Sequence, residues 1–160
     1  MSRASEHGTE LAARRERLDA EYAARESRAL AMGGEERLAR RKAEGRLNAR
    51  ERIARLFDDG SFIESGLFST SLVPEDRERS PCDGKIAGFG RIDGRDAAAV
   101  ANDFTVMGAS SGGTNGRKIA HTKRVATQRG MPLVFLGESS GARMPDHMGS
   151  RGMGLLLGND

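Results

Sequence analysis

Two glycine- and serine-rich segments carry the residue types from which chemistry can be read. The first is MGASSGGTNG at 107–116 and the second is ESSGARM at 138–144. Each follows a run suited to a strand and precedes a run suited to a helix. A turn of that kind leaves the first backbone N–H groups of the helix unpaired, at the positive end of its dipole, where they can meet an anionic oxygen. Such turns serve oxyanions and phosphates, and they also occur as plain tight turns.

Charge around the first segment favours an anionic ligand. Between Phe104 and Gly137 stand Arg117, Lys118, Lys123, Arg124 and Arg129, with no Asp or Glu. A field of that sign attracts phosphate, although each of these residues also suits a solvated helix face. Lys118, in the first turns after the loop, is the residue best placed. A nucleotide-hydrolysing phosphate loop is disfavoured because Arg117 stands where Gly is required and Lys118 is followed by Ile119.

The second segment also fits G-x-S-x-G, as Gly137-Glu-Ser139-Ser-Gly141, after an apolar strand. A serine hydrolase would need an acid and a His after Ser139, and only the adjacent Asp146 and His147 follow it. His7 and His121 have no partner at ligand or triad spacing and read as ordinary surface or packing residues.

The elements that must position these loops are legible in part. The 160 residues allow one modest domain with an appendage. Apolar residues are 37% and charged residues 31%, which implies a small core with a solvated extension. From 9 to about 32 the chain is a charge-interleaved helix with sparse Leu11, Leu18, Tyr22 and Leu30, read as a solvated arm or a docking element. Gly33-Gly34 interrupts it and EERLARRKAEG forms a second helix. Asn48 and Glu51 make a capping box for ARERIARLF, which Asp58-Asp59-Gly60 stops.

Residues 62–82 read as a loop with at most one short strand. KIAGFGRI and RDAAAVAN then flank Asp93-Gly94 as a β-hairpin. A helix from about 116 to 128, ended by Gly130, leads to the strand PLVFLG. Strand, helix and strand make a βαβ unit with parallel strands and a right-handed crossover. The chain ends at Asp160 directly after GMGLLLG, and the expectation is a truncated domain.

Other classes are bounded by composition. The single Cys82 cannot form an intramolecular disulfide, no Cys/His cluster has zinc spacing, and no metal is predicted. No signal-peptide core or membrane span is present in the sequence, so a cytoplasmic or other reducing compartment is expected. The net charge of +3, with six Phe and one Tyr, is a weak nucleic-acid footprint, and neither nucleic acid nor membrane is an expected partner.

Four segments in register resemble one family. EGRLNARERIARLFDDGSFIE, DGKIAGFGRIDGR, NDFTVMGASSG and ESSGARMPD are similar to the amino-terminal domain of the carboxyltransferase subunits of biotin-dependent acyl-CoA carboxylases, of the propionyl-CoA and methylcrotonyl-CoA type. The resemblance runs from about 44 to 160. It implies an α/β crotonase-like fold, a ββα superhelix here incomplete, with a helical arm over 1–45 and the carboxyltransferase part over 46–160.

It further implies carboxyl transfer from carboxybiotin to the α-carbon of an acyl-CoA. Backbone amides at Gly141, Ala142 and Ser140 would hold the thioester enolate. Ser140 stands where the family has Gly, and Pro145 where it has Gln. Gly108, Ala109, Ser110 and Ser111 would line the thioester pocket, while Arg117, Lys118 and Arg143 would meet the cofactor. The implied partners are acyl-CoA, a biotin carboxylase and biotin carrier subunit, and further copies of the chain. On this reading the fragment is expected to be inactive alone; a serine hydrolase at Ser139 and a non-catalytic CoA-binding or assembly module are the readings against which it stands.

Overall fold

The computed structural model of the protein describes residues 3–148; the expected continuation through GMGLLLG lies outside them. Helix α1 (Arg3–Leu30) carries the charge-interleaved arm, and α2 (Glu35–Ala43) follows the glycine pair. Exposed i,i+4 ion pairs such as Arg25–Glu21 line α1, and pairs of this kind stabilise a helix by only about 0.3–0.5 kcal/mol. The arm is not wholly solvated, because Ala29 and Met32 at its end are buried.

Helix α3 (Ala49–Leu56) begins at the capping box expected from the sequence. Asn48 Oδ1 accepts the Glu51 N–H at 2.9 Å and Glu51 Oε2 accepts the Asn48 N–H at 2.8 Å. After it come the short strand β1 (Ile63–Ser65) and two single-turn 3₁₀ segments, so the loop over 62–82 holds one strand.

Strands β2 (Lys85–Ile92) and β3 (Arg95–Asn102) form the hairpin, with Ile92 opposite Arg95. Asp93 and Gly94 both have positive φ, 49° and 74°, which matches the right-handed twist of a two-residue hairpin turn. Asp58 secures that turn by accepting both of their N–H groups at 2.9 Å. Helix α4 (Gly113–Arg129) crosses to β4 (Leu133–Leu136), which pairs parallel to β3, and a single turn α5 (Met144–His147) follows.

The four-stranded sheet has the order β1-β2-β3-β4. Half of strand β3 is alanine, a poor strand former, and Ala97, Ala98, Ala99, Val100 and Ala101 are all buried. Small side chains there let a helix approach each face closely. On one face Ile53 of α3 and Phe57 just after it pack with Ile86, Ala97, Ala99 and Ala101. On the other lies α4, whose Asn115, Lys118, Thr122 and Ala126 are buried.

The arm and the sheet meet at Gly33. A Cβ there would stand 2.1 Å from the Thr105 carbonyl oxygen, and the Gly33 N–H donates to Thr105 Oγ1 at 3.0 Å. Arg37 Nη1 adds a bond to the Thr105 carbonyl at 3.1 Å. The segment before α3 is thereby fastened to the turn that leads into the first glycine-rich loop. Among the described residues no helix is long and apolar enough to cross a membrane.

Candidate active site

The first loop leaves β3 at Asn102 and is held from its start by a side chain. Asp103 Oδ1 accepts both the Thr105 N–H at 3.0 Å and the Thr105 hydroxyl at 2.5 Å. Burial pushes the Asp103 carboxyl up, while the bonds from Thr105 pull it down. Beyond it Met107, Gly108 and Ala109 all have positive φ, at 50°, 61° and 49°. Left-handed backbone at Met107 and Ala109 is strained, and such strain persists only where surrounding contacts enforce it. Those contacts converge on the Ala109 carbonyl, which accepts from Lys85 Nζ at 2.6 Å and from the Ser139 hydroxyl at 3.1 Å.

The second loop lies alongside the first. The Ser140 N–H donates to the Gly108 carbonyl at 2.9 Å, the Ser111 N–H to the Gly141 carbonyl at 2.8 Å, and the Arg143 N–H to the Ser111 carbonyl at 2.7 Å. Ser111 and Ala142 thereby form a parallel β-bridge. A Cβ on Gly108 would meet Ser140 Oγ at 2.6 Å, so this approach requires glycine.

This register decides which amides are available. The Ser140 N–H is consumed by Gly108 and the Gly141 N–H by Ser139 Oγ at 3.1 Å. The Ala142 N–H makes no hydrogen bond among the described residues, and Ala142 is exposed. Of the three amides expected to face a ligand, the Ala142 N–H is the one without a partner among the described residues.

Beneath the loops runs a buried charged cluster. Arg143 Nη1 meets Asp83 Oδ1 at 2.6 Å, and its Nε and Nη2 reach the Ser110 side chain and carbonyl, each at 3.2 Å. Asp83 Oδ2 accepts the Asn115 N–H at 2.8 Å. Asn115 Oδ1 in turn accepts the Gly112 N–H at 2.9 Å, which starts α4 three residues earlier than the sequence suggests. Burial raises the Asp83 carboxyl, with Arg143 acting against that shift. Burial likewise lowers the Lys85 ammonium to about 8.

Two of the residues expected to meet a cofactor do not face solvent. Arg143 is 4% exposed and committed to Asp83 and Ser110. The Lys118 ammonium donates to the carbonyls of Gly66, Cys82 and Lys85, which uses all three of its protons. Of the two neighbouring basic residues expected to meet a phosphate, Lys118 is thus committed to backbone carbonyls and Arg117 is the exposed one, on α4. Lys118 shares its helix face with Asn115, Thr122 and Ala126 at spacings of three and four, and that pattern was the available signal of its burial.

The sequence alone did not point to Glu138, which anchors the second loop. Arg41 of α2 holds it with both guanidinium nitrogens, Nη1 at 3.0 Å, and Arg52 of α3 stands 3.8 Å away. The bond from Arg41 pulls the Glu138 carboxyl below its ordinary value. Ser139 Oγ bonds only the Ala109 carbonyl and the Gly141 N–H, so no His or carboxylate activates it among the described residues. Beside the loops opens a pocket of about 430 Å³ lined by Arg37, Arg79, Phe104, Met107, Gly108 and Ser110.

The family described as the carboxyl transferase domain matches residues 40–159. The chain belongs to the carboxyl transferase family. Relatives in this family include the methylmalonyl-CoA decarboxylase subunit alpha of Veillonella parvula, 40% identical over 117 residues, which are 71% of this chain and 23% of that one. The putative propionyl-CoA carboxylase beta chain of Bacillus subtilis is 42% identical over 114 residues, covering 71% and 22%.

Among solved structures, the transcarboxylase 12S hexamer with methylmalonyl-coenzyme A bound superposes with a TM-score of 0.77 at 34% identity, covering 89% of this chain and 28% of that one. A single-chain long-chain acyl-CoA carboxylase gives 0.75 at 28% identity, covering 88% and 16%. The fold is thus that of the crotonase-like carboxyltransferases. The chain spans about a quarter of the length of the curated relatives it matches.

Proposed function

We propose that this chain forms the acyl-CoA side of a biotin-dependent carboxyltransferase. The observation that carries the reading is the N–H of exposed Ala142, which has no hydrogen-bond partner among the described residues and is fixed by the bridge to Ser111 directly beside the strained loop 107–109. Carboxybiotin, brought by a carrier subunit, supplies the carboxyl group and the base that removes the α-proton. This chain's own residues then have one task, to receive negative charge at the thioester oxygen.

A backbone amide suits that task because it is already oriented before the charge develops. Losing one such donor typically costs about 10²–10³ in rate. The reading explains why no catalytic His or carboxylate is needed near Ser139. A serine hydrolase would require an activated Ser139, whose hydroxyl instead donates to a backbone carbonyl.

Replacing Ala142 with Pro removes the N–H without removing a side chain of any size. In the full-length protein assembled with its biotin carrier, carboxyl transfer should fall by about 10²–10³ while CoA binding is retained. Unchanged transfer would remove Ala142 from the chemistry. Labelling of Ser139 by a fluorophosphonate would favour the hydrolase, and CoA binding without any turnover would favour a non-catalytic module.

A further inference from the structure

Lys85 is a buried charge that the chemistry above does not use. It is the first residue of β2 and lies opposite Asn102, the last residue of β3, where the first loop departs. The residue is only 2% exposed, and the one acceptor its ammonium meets is the Ala109 carbonyl, at 2.6 Å. Asp83, Asp103 and Arg143 are the charged groups that act on it, yet no carboxylate forms an ion pair with it among the described residues. A buried ammonium without a paired carboxylate lowers stability. Its presence points to a task other than holding the fold together.

The task is visible in the backbone that Lys85 touches. Met107, Gly108 and Ala109 form a left-handed turn with glycine at the middle position alone. Met107 and Ala109 carry a Cβ in a region that L-residues avoid, and they stay there only while a contact holds them. At Ala109 that contact is the charge-assisted bond from Lys85, shorter than the 3.1 Å bond from Ser139 Oγ to the same carbonyl. Lys85 is itself held, since its own carbonyl accepts from Lys118 Nζ at 2.5 Å. The preceding carbonyl, of Gly108, takes the Ser140 N–H, and Ser111 bridges to Ala142. The turn and the register of the second loop are therefore set together.

We infer that Lys85 is a positioning residue for carboxyl transfer: its ammonium keeps Ala109 left-handed, and so keeps the two loops in the register that leaves the Ala142 N–H open to a ligand. The inference rests on the acyl-CoA reading above and adds the group that enforces its geometry. Ala109 then depends on Lys85 in a way that glycine would not, because glycine adopts the same φ unaided.

The test compares wild type, Lys85→Met and the double variant Lys85→Met with Ala109→Gly, each as the full-length protein assembled with its biotin carrier. Methionine fills a similar volume without a charge, and Ser139 still satisfies the Ala109 carbonyl. Lys85→Met should therefore keep or raise the urea midpoint near neutral pH. Its kcat for carboxyl transfer should fall about tenfold or more, with KM for the acyl-CoA little changed. Exchange of the Ser140 and Arg143 amides, whose acceptors lie in the first loop, should quicken. Adding Ala109→Gly should return both kcat and amide protection toward the wild type. A residue that merely supported the fold would lose midpoint and activity together, and glycine at 109 would not rescue it. Unchanged kcat and exchange in Lys85→Met, or loss of its cooperative unfolding transition, would overturn the inference and leave the acyl-CoA reading standing. Absence of transfer by the wild type would overturn both.

Discussion

Arg143 and Asp83, 60 residues apart in the chain, meet at 2.6 Å with side chains 3% and 0% exposed. The pair joins the second glycine-rich loop to the turn preceding β2. Through Ser110 and Asn115 it also reaches the first loop and the start of α4. The relative position of the two loops is therefore set by a buried ion pair beneath them.

Removing one partner should cost far more than an exposed pair would. Asp83→Asn leaves the Arg143 charge buried, with Asp146 at 3.7 Å as its remaining acidic neighbour. Urea denaturation should show a loss of about 3–5 kcal/mol. A double replacement, Asp83→Leu with Arg143→Met, should recover part of that stability while still disturbing the loops. A loss below about 1 kcal/mol for Asp83→Asn would show that the pair does not hold them.

This pair also marks where the sequence stopped being informative. The capping box at Asn48 and Glu51, the Asp93-Gly94 turn and the left-handed Gly130 that ends α4 are local signals, and each stands where the residue types put it. The Asp83–Arg143 and Arg41–Glu138 pairs span 60 and 97 residues, so no spacing rule reveals them. Lys118 was expected to meet a ligand from its place after the first loop, and Arg143 from the family resemblance; charged residues are ordinarily assigned to the surface, and both of these are buried. The two loops were recognisable as strand-to-helix turns. Which amide stays free was not, because it follows from the Ser111–Ala142 register.

Buried lysines and a buried cysteine set opposite pH trends. Burial lowers Lys85 from 10.5 to about 8, so the folded state releases its proton before the unfolded state does, and stability should rise with pH above about 8. Burial raises Cys82 from 9.0 to about 12, with Glu64 adding to the shift, so stability should fall once the unfolded thiol ionises above 9. Urea midpoints should increase from pH 7.5 to about 9 and then level off. Cys82→Ala should extend the rise, and Lys85→Met should reduce it, the remainder coming from Lys118, whose ammonium is likewise lowered by burial.

Glycines at two positions should respond in opposite directions. Gly33→Ala drives a Cβ into the Thr105 carbonyl, and overpacking of this kind costs about 1–3 kcal/mol. Gly8 lies in α1 with nothing within 4 Å of a Cβ, and Gly8→Ala should stabilise the arm by about 0.5–1 kcal/mol. Thermal unfolding and helical circular dichroism distinguish the two. Equal behaviour would mean that the arm is not fastened at Gly33.

The Asn48 cap offers a smaller, local test. Asn48→Ala removes the acceptor for the Glu51 N–H and should lower stability by about 1 kcal/mol. Asn48→Gly should cost only a few tenths. A loss as large as that of Asp83→Asn would mean that α3 is far more dependent on its cap than its packing under β3 implies.

The most direct measurement is the infrared stretch of an acyl-CoA carrying a ¹³C-labelled thioester carbonyl, bound to the full-length protein. A carbonyl oxygen accepting the Ala142 N–H should absorb at lower frequency than the same thioester free in water, and Ala142→Pro should move the band back toward the free value. An identical band in both proteins would contradict the assignment of that amide to the thioester oxygen.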